Sequence, residues 1–228
     1  MLHSLRLAGS VHYPAAPMME QHTLPDFEQA RTYAIARLTH ELPPALTYHS
    51  IAHTCDEVVP AAERIAALAG IGDDDLLLLR TAAYYHDLGF ITLYAGHEEA
   101  SVAIARAALP RFGYQPQQIE RIAGMIRATK LPQSPTTLLE QILADADLDV
   151  LGSDDFFERN SALRTEMANF GGAMTDEGWF ANQLKFVQSH CYWTSAAAQL
   201  RNDGKQRSIA TLSDKLAHTK RTPWRVRT

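Results

Sequence analysis

Apolar residues recur along most of the chain with the 3.6-residue period of an amphipathic α-helix. The first such segment begins at Asp26 and ends before the Pro43-Pro44 pair, and a second runs from about His53 to Ala69. Further helical segments follow, separated by Gly- and Pro-containing connections, and no stretch alternates Val or Ile with polar residues as a strand would. The pattern therefore predicts an all-α fold, a compact bundle of about seven to ten helices.

The segment DLLLLRTAAYYHDL, which follows two further aspartates, is apolar on nearly all sides of its helix. A helix without a polar face is expected at the centre of a bundle. His86 and Asp87 lie at its end, where two ionisable groups are costly to bury unless something pairs with them. We expect Gly89 to take the left-handed conformation that commonly ends a helix.

The length and composition are those of an ordinary globular protein. The chain has 228 residues, of which 46% are hydrophobic and 21% charged, and its formal net charge is −5. We expect the helical bundle to occupy residues 26–215, between a flexible N-terminal arm at 1–25 and a basic C-terminal tail at 216–228. The arm lacks the apolar stretch of a signal peptide, and no apolar run is long enough to span a membrane.

The charge and the cysteine content exclude several classes of function. A mildly acidic chain lacks the extended basic surface that non-specific nucleic-acid binding needs. Two cysteines cannot build a disulfide framework or a four-thiolate zinc module, and they favour a reducing, cytoplasmic compartment. The sequence also has no nucleophile-elbow, P-loop, dinucleotide-binding or HExxH motif.

What remains is a set of histidine and acidic residues that lie where predicted helices begin or end. They are His49, His53, His86, Asp87, His97, Glu98, Asp145, Asp147 and Asp149. Each one alone is also compatible with a helix cap or a solvated charge. Taken together, two His and two Asp from three helices could hold one divalent ion and leave a position for water. Such mixed nitrogen and carboxylate ligands suit Mn, Fe, Co, Ni or Zn.

The order of these residues, H…HD…D, resembles the HD-domain superfamily of metal-dependent phosphohydrolases and phosphodiesterases. The surrounding blocks YHSIAHTCDEVVPAA, LLLLRTAAYYHDLGF, GHEEASVAIARAAL, IRATKLP and ILADADLDVLG are similar to small bacterial HD-domain proteins that are predicted metal-dependent phosphohydrolases. The resemblance covers residues 45–152 most strongly. It implies a compact helical bundle that binds a divalent transition metal, with one ion expected and a second as an alternative. The implied ligands are His53, His86, Asp87 and Asp145.

The resemblance also implies a reaction. Water activated by the metal would attack a phosphate ester or anhydride of a nucleotide or another small phosphorylated metabolite, and Asp87 could accept a hydrogen bond from that water. Three better-defined substrates of the superfamily are disfavoured. Phe90 stands where the deoxynucleotide 5′-phosphatases have Glu and where the cyclic-di-GMP phosphodiesterases have Lys. Neither a GYP segment nor the downstream acidic pair of the ppGpp hydrolases is found.

Four residues around this motif are candidates for catalysis and substrate binding. His97 would lie near the activated water, as a second-metal ligand or a proton donor, with Glu98 orienting it. Arg127 and Lys130 would bind phosphate oxygens. The structural alternatives are that Glu98 is a favourable first-turn acid and that the two cations lie on a solvated helix face.

Two other functions stay open at this stage. The protein could be an HD-fold di-iron oxygenase in which His97 serves the second iron, or a non-catalytic module that senses a nucleotide. A small phosphorylated molecule is the expected partner of a hydrolase or a sensor, and no membrane partner is expected. The C-terminal tail could pack on the core or mediate a homodimer.

Overall fold

The computed structural model describes residues 25–221, and over that range the chain forms nine α-helices and no strand. Their bounds are Phe27–Glu41 (α1), Val59–Ala69 (α2), Asp73–Tyr85 (α3), His97–Ala108 (α4), Pro116–Ala128 (α5), Leu138–Asp147 (α6), Phe156–Asn169 (α7), Asp176–Ser189 (α8) and Ser195–Arg221 (α9). A π-helix, His53–Val58, leads into α2, and 3-10 turns lie at Leu88–Ile91, Leu109–Phe112 and Asp149–Gly152. The predicted all-α bundle is confirmed.

Helix α3 lies at the centre of the bundle, as its apolar sequence predicts. It packs against α1, α2, α5 and α6. Leu79, Ala82, Ala83 and Tyr85 of this helix are fully buried. The main core is built from α1 to α6, together with Ala196 and Ala197 at the start of α9. A smaller second core joins α7, α8 and α9 to the turn at Asp149–Gly152, so the last three helices form a second layer beside the site described below.

The second predicted helix is present, but its first part is wound as a π-helix. The backbone N–H of Val59 donates to the carbonyl of Thr54, five residues earlier. Pro60 follows directly and has no N–H to offer the carbonyl of Asp56, so the α-helical ladder cannot run unbroken through this point. Wide turns of this kind are frequent at functional sites, and this one carries His53.

Gly89 does not take the left-handed conformation that we expected, since positive φ angles occur at glycines 70, 96, 113 and 171 instead. Its role is to permit close approach. A Cβ placed on Gly89 would lie 1.9 Å from the carbonyl oxygen of His97. The backbone N–H of Gly89 also donates to the Ser101 hydroxyl (2.7 Å). The absence of a side chain therefore allows the start of α4 to lie directly on the turn after α3.

The ends of the chain are described only in part. Helix α9 continues to Arg221, past residue 216 where the basic tail was expected to begin. Residues 1–24 and 222–228 lie outside the described range, so the flexible arm and the tail stay predictions. Within residues 25–221, no helix combines the length and the apolar character needed to cross a membrane.

Candidate metal centre

Four side chains from three elements point their ligand atoms at one small space. His53 lies on the π-helix, His86 and Asp87 at the end of α3, and Asp147 is the last residue of α6. Asp147 Oδ1 is 3.2 Å from His53 Nε2 and 3.4 Å from His86 Nε2. Asp87 Oδ2 is 3.2 Å from His86 Nε2 and 3.8 Å from His53 Nε2. The ligand atoms of His53, His86 and Asp147 all lie within 4.8 Å of one another, and Asp87 adjoins this group through its contact with His86.

These separations fit ligands of a common divalent ion. Nitrogen and oxygen ligands at about 2.0–2.2 Å from one ion lie roughly 3 to 3.5 Å from their neighbours. Two of the four atoms, His86 Nε2 and Asp87 Oδ2, are buried without a hydrogen-bond partner. A buried polar atom without a partner is costly, and a cation between these atoms would remove that cost. The donor set of nitrogen and carboxylate oxygen suits a divalent transition metal.

Both imidazoles are held in the tautomer that a metal ligand needs. His86 Nδ1 lies 2.7 Å from the carbonyl oxygen of Ala83, which can only accept, so Nδ1 carries the proton. His53 Nδ1 is held in the same way by the Glu57 carboxylate at 2.9 Å. The Nε2 atom of each ring therefore faces the shared space, and its lone pair is available to a cation.

The electrostatics of this group favour positive charge at its centre. Burial lowers the pKa of His53, but its hydrogen bonds with Asp147 and Glu57 outweigh burial and raise it to about 9. Burial raises the pKa of the Asp87 and Asp147 carboxyls, yet the two histidines hold both well below the usual range. Carboxylates that stay ionised in a buried site are suited to balance a divalent cation, which would compete with the histidine proton.

Asp145, one of the ligands implied by the resemblance, is not brought into this group by the structure, which places Asp147 there instead. One of its carboxylate oxygens accepts from the Trp193 N–H (2.8 Å). The other accepts from the N–H and the hydroxyl of Thr194 (2.8 and 2.7 Å). Asp145 is fully buried and anchors the chain just before α9. Two residues along a helix turn about 200°, so Asp147 faces the histidines when Asp145 faces α9.

Asp149, the third acidic residue of this stretch, is also structural rather than solvated. Arg201 of α9 binds both of its carboxylate oxygens, at 2.8 and 2.6 Å. Arg64 of α2 donates to it at 3.1 Å. Asp145 and Asp149 together attach α9 to the end of α6, whereas Asp147 faces His53 and His86.

His97 lies on the far side of Asp87 from the histidine pair, and its expected role near the activated water stays a prediction. Its Nε2 atom is 3.5 Å from Asp87 Oδ1 and 3.7 Å from Glu98 Oε1. The carbonyl oxygen of Tyr94, 3.2 Å from Nδ1, orients the ring, and Phe90 stacks on it with ring centres 3.7 Å apart. Asp87 therefore presents one oxygen to the histidine pair and the other to His97.

His49 is a site residue to which the sequence analysis gave no role. Glu166 of α7, itself fully buried, binds His49 Nδ1 and also accepts from the backbone N–H groups of Tyr48 and His49. Burial raises the pKa of Glu166, but the His49 ring and these N–H groups lower it further than burial raises it. The buried carboxylate holds the His49 ring through Nδ1. No local pattern could reveal this pair, because 117 residues separate the two side chains.

Residues 51–149 match the family model described as HD domain. This segment is an HD domain. The superfamily suggested by the order of the motifs is therefore confirmed. The fold is also similar to the crystal structure of a predicted HD superfamily hydrolase from an uncultured Thermotogales bacterium. The TM-score is 0.56 and the identity 21%, over 85% of this chain and 93% of that one. No curated protein matches the sequence.

The two cations proposed within the HD domain have different surroundings. Arg127 makes a two-point ion pair with Glu99 on the exposed surface, at 2.7 and 3.0 Å. Its guanidinium is occupied, so the structure does not bring Arg127 to the metal centre. Lys130 lines a cavity of about 260 Å³ together with Asp87, His97 and Asp147. Lys130 is thus placed where an anionic substrate would need a positive charge.

A second cavity adjoins the first and is bounded largely by residues that follow the HD domain. It measures about 320 Å³, and the two cavities share His49, Tyr94, Leu131 and Asp147 as wall residues. Arg159 of α7 lines this second space, and it was also missed by the sequence analysis. The metal centre therefore opens into a bilobed space, with Lys130 in one lobe.

Proposed function

We propose that this HD-domain protein is a metal-dependent phosphohydrolase that cleaves a phosphate ester or anhydride of a small molecule. The observation that carries the proposal is the convergence of four ligand atoms beside a cavity that also holds Lys130. The expected ligands are His53, His86, Asp87 and Asp147. A divalent ion bound there supplies Lewis acidity, which polarises a phosphoryl oxygen and lowers the pKa of water.

The side chains around the ligands can perform the remaining tasks of hydrolysis. Asp87 Oδ1, which faces His97, can accept a hydrogen bond from the attacking water and orient it. Lys130 can balance the charge on the phosphate oxygens. His49, held by Glu166, can give a proton to the leaving oxygen, because this residue lines both cavities.

The second candidate function, a di-iron oxygenase, is favoured by one feature. Asp87 lies between the two histidines of the first centre and His97, and so it could bridge two ions. In that case Glu98, whose Oε1 lies 3.7 Å from His97 Nε2, would be the neighbouring acidic group. Two irons per chain and oxygen consumption without phosphate release would select this alternative.

The experiment that tests the proposal is metal analysis of the purified protein, combined with phosphate release from a panel of esters and nucleotides in Mn²⁺, Co²⁺, Ni²⁺, Zn²⁺ or Mg²⁺. We expect bound metal and phosphate release in the wild type and the loss of both in His86→Ala. Lys130→Ala should raise KM. The matched control is Arg127→Ala, which also removes one positive charge but one that is ion-paired with Glu99 on the surface, and it should behave like the wild type. Ligand binding without turnover in any metal would instead indicate a sensor.

Three expectations of the sequence analysis stay predictions: a nucleotide as substrate, a cytoplasmic location and a homodimer. Among these, the nucleotide can be addressed further from the shape and charge of the second cavity.

A further inference from the structure

The cavity of about 320 Å³ has a wall formed by one face of α7. Its wall residues on that helix occupy positions 156, 159, 160, 163 and 167, a spacing that places them on a single side. Three of them, Phe156, Leu163 and Met167, are apolar. The opposite wall comes from the end of α6, the following turn and α8, where Leu148, Val150 and Phe186 are again apolar. The cavity is thus lined mainly by hydrocarbon.

Several of these apolar side chains remain only partly buried although they face inward. Leu148, Val150, Leu163, Met167 and Phe186 all keep part of their surface accessible. Apolar surface that stays accessible inside a cavity gains free energy when an apolar ligand covers it. A volume of about 320 Å³ is near the lower end of small-molecule pockets, roughly 300–1,000 Å³, and suits a group of one or two rings.

The charged groups of this cavity do not provide for a second phosphate. Among the described residues that line it, Arg159 is the one lysine or arginine. Its guanidinium is paired with Glu57 at 2.6 Å and donates to the Tyr48 carbonyl at 2.8 Å. The Asn160 amide is likewise occupied, because it donates to Gln183 and accepts from the Trp179 indole. An additional phosphate placed here would compete with Glu57 for this one guanidinium and would lie beside the Asp147 carboxylate, which disfavours it.

We infer that the substrate is a phosphomonoester of an apolar alcohol or phenol, and that the α7-lined cavity binds its hydrocarbon group. This inference rests on the proposed function. In the reaction, water forms a bond to phosphorus, the bond between phosphorus and the ester oxygen breaks, and the alcohol leaves with one proton. Inorganic phosphate is the other product. The reacting phosphate occupies the lobe that holds Lys130, and His49 stands where the lobes meet.

The test compares kcat/KM for phosphate release from 1-naphthyl phosphate, phenyl phosphate, ethyl phosphate and ATP with the metal-loaded protein. We expect 1-naphthyl phosphate to exceed ethyl phosphate at least tenfold, mainly through a lower KM, and ATP to be the poorest substrate. Leu163→Trp, which fills the cavity, should reduce the naphthyl-to-ethyl ratio at least tenfold. The matched control is Leu68→Trp on the exposed side of α2, away from both cavities, which should keep the ratio.

A binding measurement separates this inference from the proposed function. Fluorescence titration with 1-naphthol, which has no phosphate, should show binding to the wild type and to Leu68→Trp, and at least tenfold weaker binding to Leu163→Trp. If that pattern holds but no ester is hydrolysed, the proposed phosphohydrolase is wrong and the apolar ligand site stands. If ATP or ethyl phosphate is hydrolysed with a kcat/KM equal to that of 1-naphthyl phosphate, the inference of an apolar substrate is wrong and the proposed hydrolase stands. Met167→Trp repeats the test if Leu163→Trp fails to fold.

Discussion

Asp145 and Asp147 are two residues apart on α6, yet the structure assigns them opposite tasks, and a matched pair of alanine variants can separate these. Asp145→Ala removes an acceptor that holds two backbone N–H groups and one hydroxyl in the interior. Hydrogen bonds to a charged group contribute roughly 1.5–3 kcal/mol each and do not add fully, so we expect a loss of about 3 kcal/mol in unfolding free energy. For a chain of this size that corresponds to a fall in Tm of about 6–12 °C.

Asp147→Ala should instead remove one ligand and spare the anchor of α9. The wild type should gain stability with added metal, by about 2.7 kcal/mol when the metal is at a hundredfold excess over its Kd. This gain should disappear in Asp147→Ala, whose metal-free form loses the contacts of Asp147 with His53 and His86 but keeps the anchor of α9.

The assay is thermal unfolding by circular dichroism, with EDTA and with Mn²⁺ or Zn²⁺, together with the metal content of each folded variant. Asp145→Ala should unfold earlier in both conditions and still bind metal. The opposite result, in which Asp145→Ala folds stably but loses its metal and Asp147→Ala retains it, would refute the assignment of the two residues.

Three more outcomes follow from other contacts. Gly89→Ala should lower the unfolding free energy, measured by urea unfolding, by about 3 kcal/mol, because the added Cβ would collide with the carbonyl of His97. Unchanged stability of this variant would show that the turn relaxes. Glu166→Gln should lower kcat and alter its pH profile at unchanged metal content, since His49 loses its carboxylate partner; an unaltered profile would argue against that pair. Burial and a neighbouring lysine lower the pKa of His190 to about 4, so stability should decline as pH falls from about 6.5 to about 4. His190→Gln should reduce that decline, and equal acid sensitivity of both proteins would contradict this reasoning.

Hydrophobic periodicity was sufficient to predict the fold, because each helix of the main core buries a continuous apolar face. The same pattern could not show which acidic residue of α6 faces the two histidines. Its buried face includes Ile142 and Leu143. Asp145 follows Ile142 by three residues, and Asp147 follows Leu143 by four. Both spacings place an acidic residue next to the apolar face, so the pattern does not distinguish them. The choice depends on what α6 packs against, namely the start of α9 on one side and the histidines on the other.

The charged residues show the same limit. Arg127 carries the right chemistry for phosphate, but Glu99 lies within reach of it on the neighbouring helix and takes its guanidinium. Glu166 and Arg159 lie far along the chain from His49 and Glu57, and only the packing of α7 brings them together. A sequence can thus indicate which residue types could bind a metal or a phosphate, whereas the partner of each is decided by tertiary packing.

The position of the family match along the chain has a consequence for how this protein could change during evolution. All four expected metal ligands lie within residues 51–149. The apolar wall of α7 and α8 follows that segment, as does Glu166. Substitutions in α7 and α8 could therefore alter the cavity without changing any of the four expected ligands. A function assigned from residues 51–149 alone would include those ligands and omit the wall that we infer binds the substrate.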